Sequence, residues 1–250
     1  MTGLAGLFAG RPGGGRALRA AWLDLPSPAA ARIAAGSGLD LAVIDREHGA
    51  IGVETAAAMT DALAARRMGV LTRVPELSTA AIQQALDAGA DGVIVPKVES
   101  AAEARRAASL TRYPPDGARG FAAGVIAASG YGADADYAAR WNAEALLAVQ
   151  IETQAGLAAA AEIADVPGVG MLFFGPFDYA VEAGISPADG AALRAVFARI
   201  AAAAHRAGRL AGAFPWPGAT AAELAEAGAD LAVAASDVAL LREGFAAAAT

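Results

Sequence analysis

The chain contains no cysteine, which excludes disulfides, thiolate nucleophiles and cysteine-ligated zinc or iron–sulfur centres. Histidine is almost as scarce, with His48 and His205 alone in 250 residues, so no histidine cluster can form a metal site. Long apolar runs are missing too. The mean hydropathy is positive at +0.41, but the alanine-rich runs are interrupted at short intervals by Glu, Arg, Asp and Gln, as in packed helices. Positive charge is in deficit: 19 Lys and Arg face 26 Asp and Glu, a net charge of -7 that argues against nucleic-acid or anionic-membrane partners. No proline-rich or charged linker divides the sequence, so residues 20–250 are expected to form one domain. The opening MTGLAGLFAGRPGGGR has no convincing cleavage signal, and residues 1–19 are expected to be a flexible leader on a cytoplasmic chain.

What remains is a repeated alternation. Short apolar runs at 20–25, 39–44, 69–74, 92–98, 146–151, 170–175 and 209–214, with a last one in ADLAVAA, are separated by alanine-rich helical segments. Continuous apolar strands between helices are the signature of a parallel sheet covered on both faces. Helices are expected at 53–67 and 189–208, with Ser27 as a cap before Pro28, and STAAIQQALDAG ending at Gly89. Pro96 marks the end of the fourth strand. The region TRYPPDGARGFAAGVIAASGYGADADY is too rich in Gly and Pro to be one element. Eight β/α units in this length predict a (β/α)8 TIM barrel. A doubly wound sheet would place a glycine-rich phosphate loop after the first strand, whereas GRPGGGR precedes it.

A barrel carries its chemistry at the carboxyl ends of its strands. Asp45 and His48 follow the second predicted strand, Arg73 ends the third, Glu152 follows the fifth and Asp178 the sixth. Glu152 and Asp178 are candidate oxygen ligands for a hard divalent ion, magnesium, manganese or cobalt ahead of zinc; helix capping is the alternative for Asp178. His48 is a candidate base near neutrality, with Asp45 as its orienting partner; a surface imidazole is the alternative. Arg73 can hold an oxyanion or carboxylate, or it can form a salt bridge. The turn Gly175, Pro176, Phe177, Asp178 can present backbone donors to a small carboxylate, or simply turn the chain. His205 near a helix C-terminus reads as a solvated imidazole. Lys97 would need a depressed amine pKa for imine chemistry, so metal-assisted chemistry ranks above it.

Taken together, VIDREHG, LTRVPE, ALDAGADGVIVPKVESAAEARRAASLTRYPPDGARG, VQIET and FFGPFD resemble the HpcH/HpaI aldolase family, the metal-dependent class II pyruvate aldolases, from about residue 22 through SDVALL. The resemblance implies a divalent cation on Glu152 and Asp178, chelated by pyruvate or a related 2-oxo acid. It also implies Arg73 on the enolate oxygen, His48 paired with Asp45, and amides around residues 175–178 on the substrate carboxylate. The implied reaction is reversible C–C cleavage of 4-hydroxy-2-oxo acids to a 2-oxo acid and an aldehyde, catalysed by a homo-oligomer, a hexamer, whose C-terminal helix packs on a neighbour. Two features depart from the family pattern and bear on aldehyde specificity: Phe177 and Tyr179 are bulky, and AASGYG lacks an arginine often found after the serine. Alternatives are a metal-enolate decarboxylase, an acyl-CoA lyase, or a noncatalytic oxo-acid sensor.

Overall fold

The computed structural model describes residues 4–8 and 10–249. Eight strands, β1 (Leu18–Leu23), β2 (Leu41–Asp45), β3 (Gly69–Arg73), β4 (Gly92–Val95), β5 (Leu146–Ile151), β6 (Met171–Phe174), β7 (Leu210–Ala213) and β8 (Leu231–Ser236), pair in parallel in chain order. Strand β8 then pairs with β1, so the sheet closes into a barrel. Helix α1 (Leu4–Leu7) lies against its amino-terminal end, and around it run α2 (Pro28–Ala34), α3 (Val53–Ala64), α4 (Thr79–Asp87), α5 (Ala101–Thr111), α6 (Tyr137–Glu144), α7 (Gln154–Ala164), α8 (Pro176–Ala183), α9 (Gly190–Arg206), α10 (Ala221–Glu226) and α11 (Asp237–Ala248). The architecture is a closed, eight-stranded parallel α/β barrel of the TIM-barrel kind. Among the described residues, no helix is long and apolar enough to cross a membrane.

Local chemistry explains most boundaries. Ser27 accepts a hydrogen bond from the Ala30 amide at 3.1 Å, Pro28 opens α2, and Ser78 and Ser100 cap α4 and α5 in the same way. Strand β4 ends at Val95, immediately before Pro96, which has no amide for the ladder. The irregular stretch before β5 contains two short 3-10 turns, followed by α6, a helix the Gly- and Pro-rich composition hides.

Every strand residue faces either the barrel axis or the helices, and the period of two decides which. Leu18, Ala20 and Trp22 of β1, Leu41 and Val43 of β2, and Leu146 and Ala148 of β5 fill the interior with Met171 and Phe173 of β6. Their alternates, among them Ala42, Ile44, Val149, Leu172 and Phe174, pack outward under the helices.

Two expectations are corrected at the amino-terminal end of the barrel. Residues 4–8, expected in a flexible leader, contribute Leu4 and Phe8 to the inner cluster, and β1 begins at Leu18. Leu4 presses so closely on β3 that a Cβ at Gly69 would lie 2.5 Å from Leu4 Cδ2. His205, expected to be solvated, is held instead: its Nε2 lies 2.8 Å from Oδ2 of buried Asp230. That carboxylate also accepts from the amides of Gly13 at 3.1 Å and Ala211 at 2.8 Å, tying the leader to the barrel floor.

Candidate active site

The same period of two that fills the barrel delivers polar groups to its carboxyl end. Asp45 continues the inward series Leu41, Val43; Arg73 follows Leu71; Gln150 follows Leu146, Ala148. The parallel register between β2 and β3 then sets Asp45 directly beside Arg73. Arg73 donates from Nε to Asp45 Oδ1 at 2.8 Å and from Nη2 to Oδ2 at 2.5 Å, a two-pronged charge-assisted pair. Asp45 is fully buried and Arg73 is 7% exposed. The guanidinium lies over the Trp22 ring, 4.9 Å from its centroid, and Trp22 Nε1 points at Asp45 Oδ2 from 3.4 Å. Burial alone would raise the Asp45 carboxyl, but the Arg73 hydrogen bonds and charge, helped by the Glu47 amide, outweigh it and hold the group below the usual carboxylate range. Arg73 is held more firmly protonated in return: burial opposes its charge, and the hydrogen bonds and charge of Asp45 overcome that opposition.

Asp45 is thus joined to Arg73, and among the described residues no hydrogen bond links it to His48. His48 is exposed, three residues further along the loop, and lines the same cavity. The second carboxylate on Arg73 is Glu47, whose Oε2 lies 2.9 Å from Nη1 in an ion pair without hydrogen-bond geometry at that oxygen.

Glu152 stands just beyond β5, 4% exposed, and accepts a hydrogen bond from Gln150 Nε2. Burial is the main reason its carboxyl is pushed up to about 7; the Gln150 hydrogen bond opposes the shift, and the negative charges of Glu47 and Asp178 add to it. Gly175 is required here, since a Cβ would sit 2.7 Å from both Glu152 Oε2 and Gln150 Nε2. At the start of α8 the Gly175 amide is already bound to the Ile151 carbonyl at 3.2 Å, and Pro176 has no amide hydrogen. Phe177 and Asp178 therefore supply the amides of the first helical turn. Among the described residues, no group of three or more His, Cys, Asp or Glu converges as a metal site.

A cavity of about 360 Å³ is lined by Asp45, His48, Arg73 and residues 175–178 together with residues that strand-end reasoning passed over, while Glu152 lies behind its lining, against Gln150 and Gly175. Asp24 is one, and the rule that found Arg73 could have found it, because WLD ends a strand in the same way. Burial raises its carboxyl, with the Ser236 hydroxyl opposing and Asp45 and Asp237 adding. Gln150 was signalled by an amide inside an apolar run, LLAVQI. Trp22, Phe173 and Phe214 carry no such signal. Of the two bulky departures, Phe177 lines the cavity, whereas Tyr179 is buried against Phe174 at 5.8 Å in the outer layer. Lys97 is exposed, has a φ of 51° and does not line the cavity.

A parallel barrel with acids and a guanidinium converging at its strand ends is the build of an enzyme acting on a small, oxygen-rich substrate. The chain belongs to the HpcH/HpaI aldolase/citrate lyase family, whose sequence profile matches residues 19–243. It is 39% identical over 224 residues, 87% of this chain and 86% of the other, to the hydroxypyruvate/pyruvate aldolase of Paraburkholderia phytofirmans. To the 4-hydroxy-2-oxo-heptane-1,7-dioate aldolase of Salmonella arizonae it is 35% identical over 209 residues, 82% and 78% of the two chains. The crystal structure of an HpcH/HpaI aldolase/citrate lyase family protein from Burkholderia cenocepacia superposes with a TM-score of 0.87 at 34% identity, covering 93% of each chain. The protein is an aldolase of this family.

Proposed function

We propose that the protein catalyses reversible cleavage of 4-hydroxy-2-oxo acids to pyruvate or a related 2-oxo acid plus an aldehyde, on a (β/α)8 TIM barrel charged with a divalent cation. The observation that carries this reading is the buried Asp45–Arg73 pair facing a cavity that also holds His48 and Asp178. A guanidinium fixed on two sides and stacked on Trp22 is a preorganised donor for an oxygen that gains negative charge during the reaction.

The residues present fit a hard divalent ion. Glu152 is a carboxylate held with little access to solvent, and buried Gln150 Oε1 beside it has no partner. Gly175 keeps space against Glu152, and Asp178 lies close enough to push the Glu152 carboxyl upward. Glu152 and Asp178 would hold the cation, leaving its other positions to substrate and water. When bound, magnesium, manganese or cobalt supplies a Lewis acid for the 2-oxo group. Arg73 stabilises the enolate oxygen as the C3–C4 bond breaks. The amides of Phe177 and Asp178 orient the substrate carboxylate at the helix start. His48, at the open side of the cavity, accepts the 4-hydroxyl proton as the aldehyde carbonyl forms, and the enolate is then protonated at C3.

A homo-oligomer, specifically a hexamer, belongs to the same proposal. It is supported by α11, which has no buried residue and exposes Leu240, Leu241 and Phe245.

The experiment is pyruvate release from a panel of 4-hydroxy-2-oxo acids by metal-free protein to which magnesium, manganese or cobalt is restored, alongside Glu152→Ala. Restored turnover that vanishes in the variant supports the reading. A folded, metal-binding protein that cleaves none of the panel overturns it in favour of decarboxylation, acyl-CoA chemistry or sensing.

A further inference from the structure

The cavity has two chemically different sides. Asp45, Arg73 and Gln150 stand on β2, β3 and β5, while an aromatic arc runs from β1 past β7 to α8. Trp22 meets Phe214 edge-on with ring centroids 5.2 Å apart, and Phe214 meets Phe177 at 5.9 Å. Trp22 is buried and stacks on buried Phe173 at 5.7 Å, so these two form the back wall. Phe214 is half-buried and Phe177 is 42% exposed, which makes them the reachable part of the arc. Phe177 does little for the fold: it occupies the first turn of α8, where acidic and small polar residues are favoured, and among the described residues its ring meets that of Phe214 alone. Two aromatic rings in edge-to-face contact, both lining the cavity and both open to solvent, offer one continuous apolar surface to whatever occupies it.

Charge sharpens the identity of that ligand. Among the described residues, Arg73 is the single Lys or Arg lining the cavity, and its three nitrogens are engaged by Asp45 and Glu47 while its face is engaged by Trp22. Among the described residues, a second carboxylate on the incoming substrate would find no Lys or Arg at the aromatic side, where the ionisable neighbour just after β1 is Asp24.

We propose that Phe177 and Phe214 form the acceptor subsite, and that they select aldehydes with an uncharged, apolar substituent over aldehydes ending in a carboxylate. This rests on the aldolase reading. In the synthetic direction, C3 of the 2-oxo acid loses a proton and bonds to the aldehyde carbon, whose oxygen gains a proton. The aldehyde substituent takes no part in these changes and lies against the two rings. Filling an apolar pocket with one more group discriminates by about 10–200-fold.

The test compares kcat/KM for addition of pyruvate to 4-methylpentanal and to succinic semialdehyde, which match in length and in the shape of the terminal group, using manganese-loaded protein. Wild type is expected to favour 4-methylpentanal by at least about tenfold. Phe177→Ser and Phe214→Ser should each collapse the ratio, mainly through a higher KM for the apolar aldehyde, while Phe214→Leu retains it and Phe177→Arg reverses it. A wild type that prefers succinic semialdehyde, or a ratio unmoved in both serine variants, overturns the subsite. Deuterium uptake from D2O into the pyruvate methyl group is measured on the same wild-type sample. Uptake without apolar preference refutes the subsite alone; no uptake and no addition to either aldehyde refutes the aldolase reading and the subsite with it.

Discussion

Each end of the barrel is organised around a buried aspartate, and the two are finished differently. At the amino-terminal end, Asp230 takes hydrogen bonds from two backbone amides and His205, and its own carbonyl accepts from Leu18 at 2.8 Å. No cavity-lining residue is involved. At the carboxyl-terminal end, Asp45 is equally well held, but its surroundings are left incomplete: Arg46 Nε, Glu47 Oε2 and Gln150 Oε1 are buried without hydrogen-bond partners, and Glu152 carries a carboxyl poised at about 7. Buried polar atoms are ordinarily satisfied, and leaving one unpaired costs about 1–3 kcal/mol. A saturated knot fastens the chain, whereas an unsaturated one awaits a ligand.

The largest expected effect comes from breaking the upper knot. Arg73→Met leaves Asp45 buried without its cation, which should lower unfolding free energy by about 3–5 kcal/mol and aldol turnover by at least about a thousandfold. Denaturant unfolding of the single variant and of Asp45→Asn/Arg73→Met separates the two losses. Stability should largely return in the double variant, since both charges are gone, while turnover should not. Equal instability in both would mean that the site's groups are individually structural.

That contrast also marks how far the sequence could be read. The strand order, the placement of Asp45, Arg73, Glu152 and Asp178 at strand ends, and the serine caps follow from periodicity and local hydrogen bonding. Partnership does not. Asp45 and His48 are three apart in sequence, and Arg73 is remote, yet β2–β3 register puts Arg73 at the carboxylate. Inter-strand register depends on how the whole barrel closes. The leader looks flexible by composition because Leu4 and Phe8 acquire a surface to bury only once the barrel floor exists. Phe177 and Tyr179 look alike in sequence, but positions two apart on a helix point to nearly opposite sides, and only Phe177 reaches the cavity.

The unfinished state of the upper end should be visible as pH dependence. In metal-free protein the folded Glu152 carboxyl titrates at about 7, above its ordinary 4.5, so between these values the folded chain keeps a proton that the unfolded chain has released. Stability contributed by this group is present below pH 4.5 and is lost as pH rises toward 7, a change on the order of 3 kcal/mol. Glu152→Gln removes the ionisation, and its stability relative to wild type should climb across that window. Added divalent cation should restore wild type alone above pH 7. A flat difference between the two proteins across the window would show that Glu152 is not held in a site awaiting charge.

The lower knot predicts smaller effects that are confined to stability. Asp230→Ala strips the acceptor from the amides of Gly13 and Ala211 as well as from His205, and should lower unfolding free energy by about 2–3 kcal/mol with turnover retained. His205→Ala leaves both amides satisfied and removes one partner whose side chain is 23% exposed, so the loss should be about 1 kcal/mol. The difference between the two variants isolates the backbone amides. If His205→Ala proves as damaging as Asp230→Ala, the imidazole fastens the barrel floor, and the amides merely follow where it holds the carboxylate.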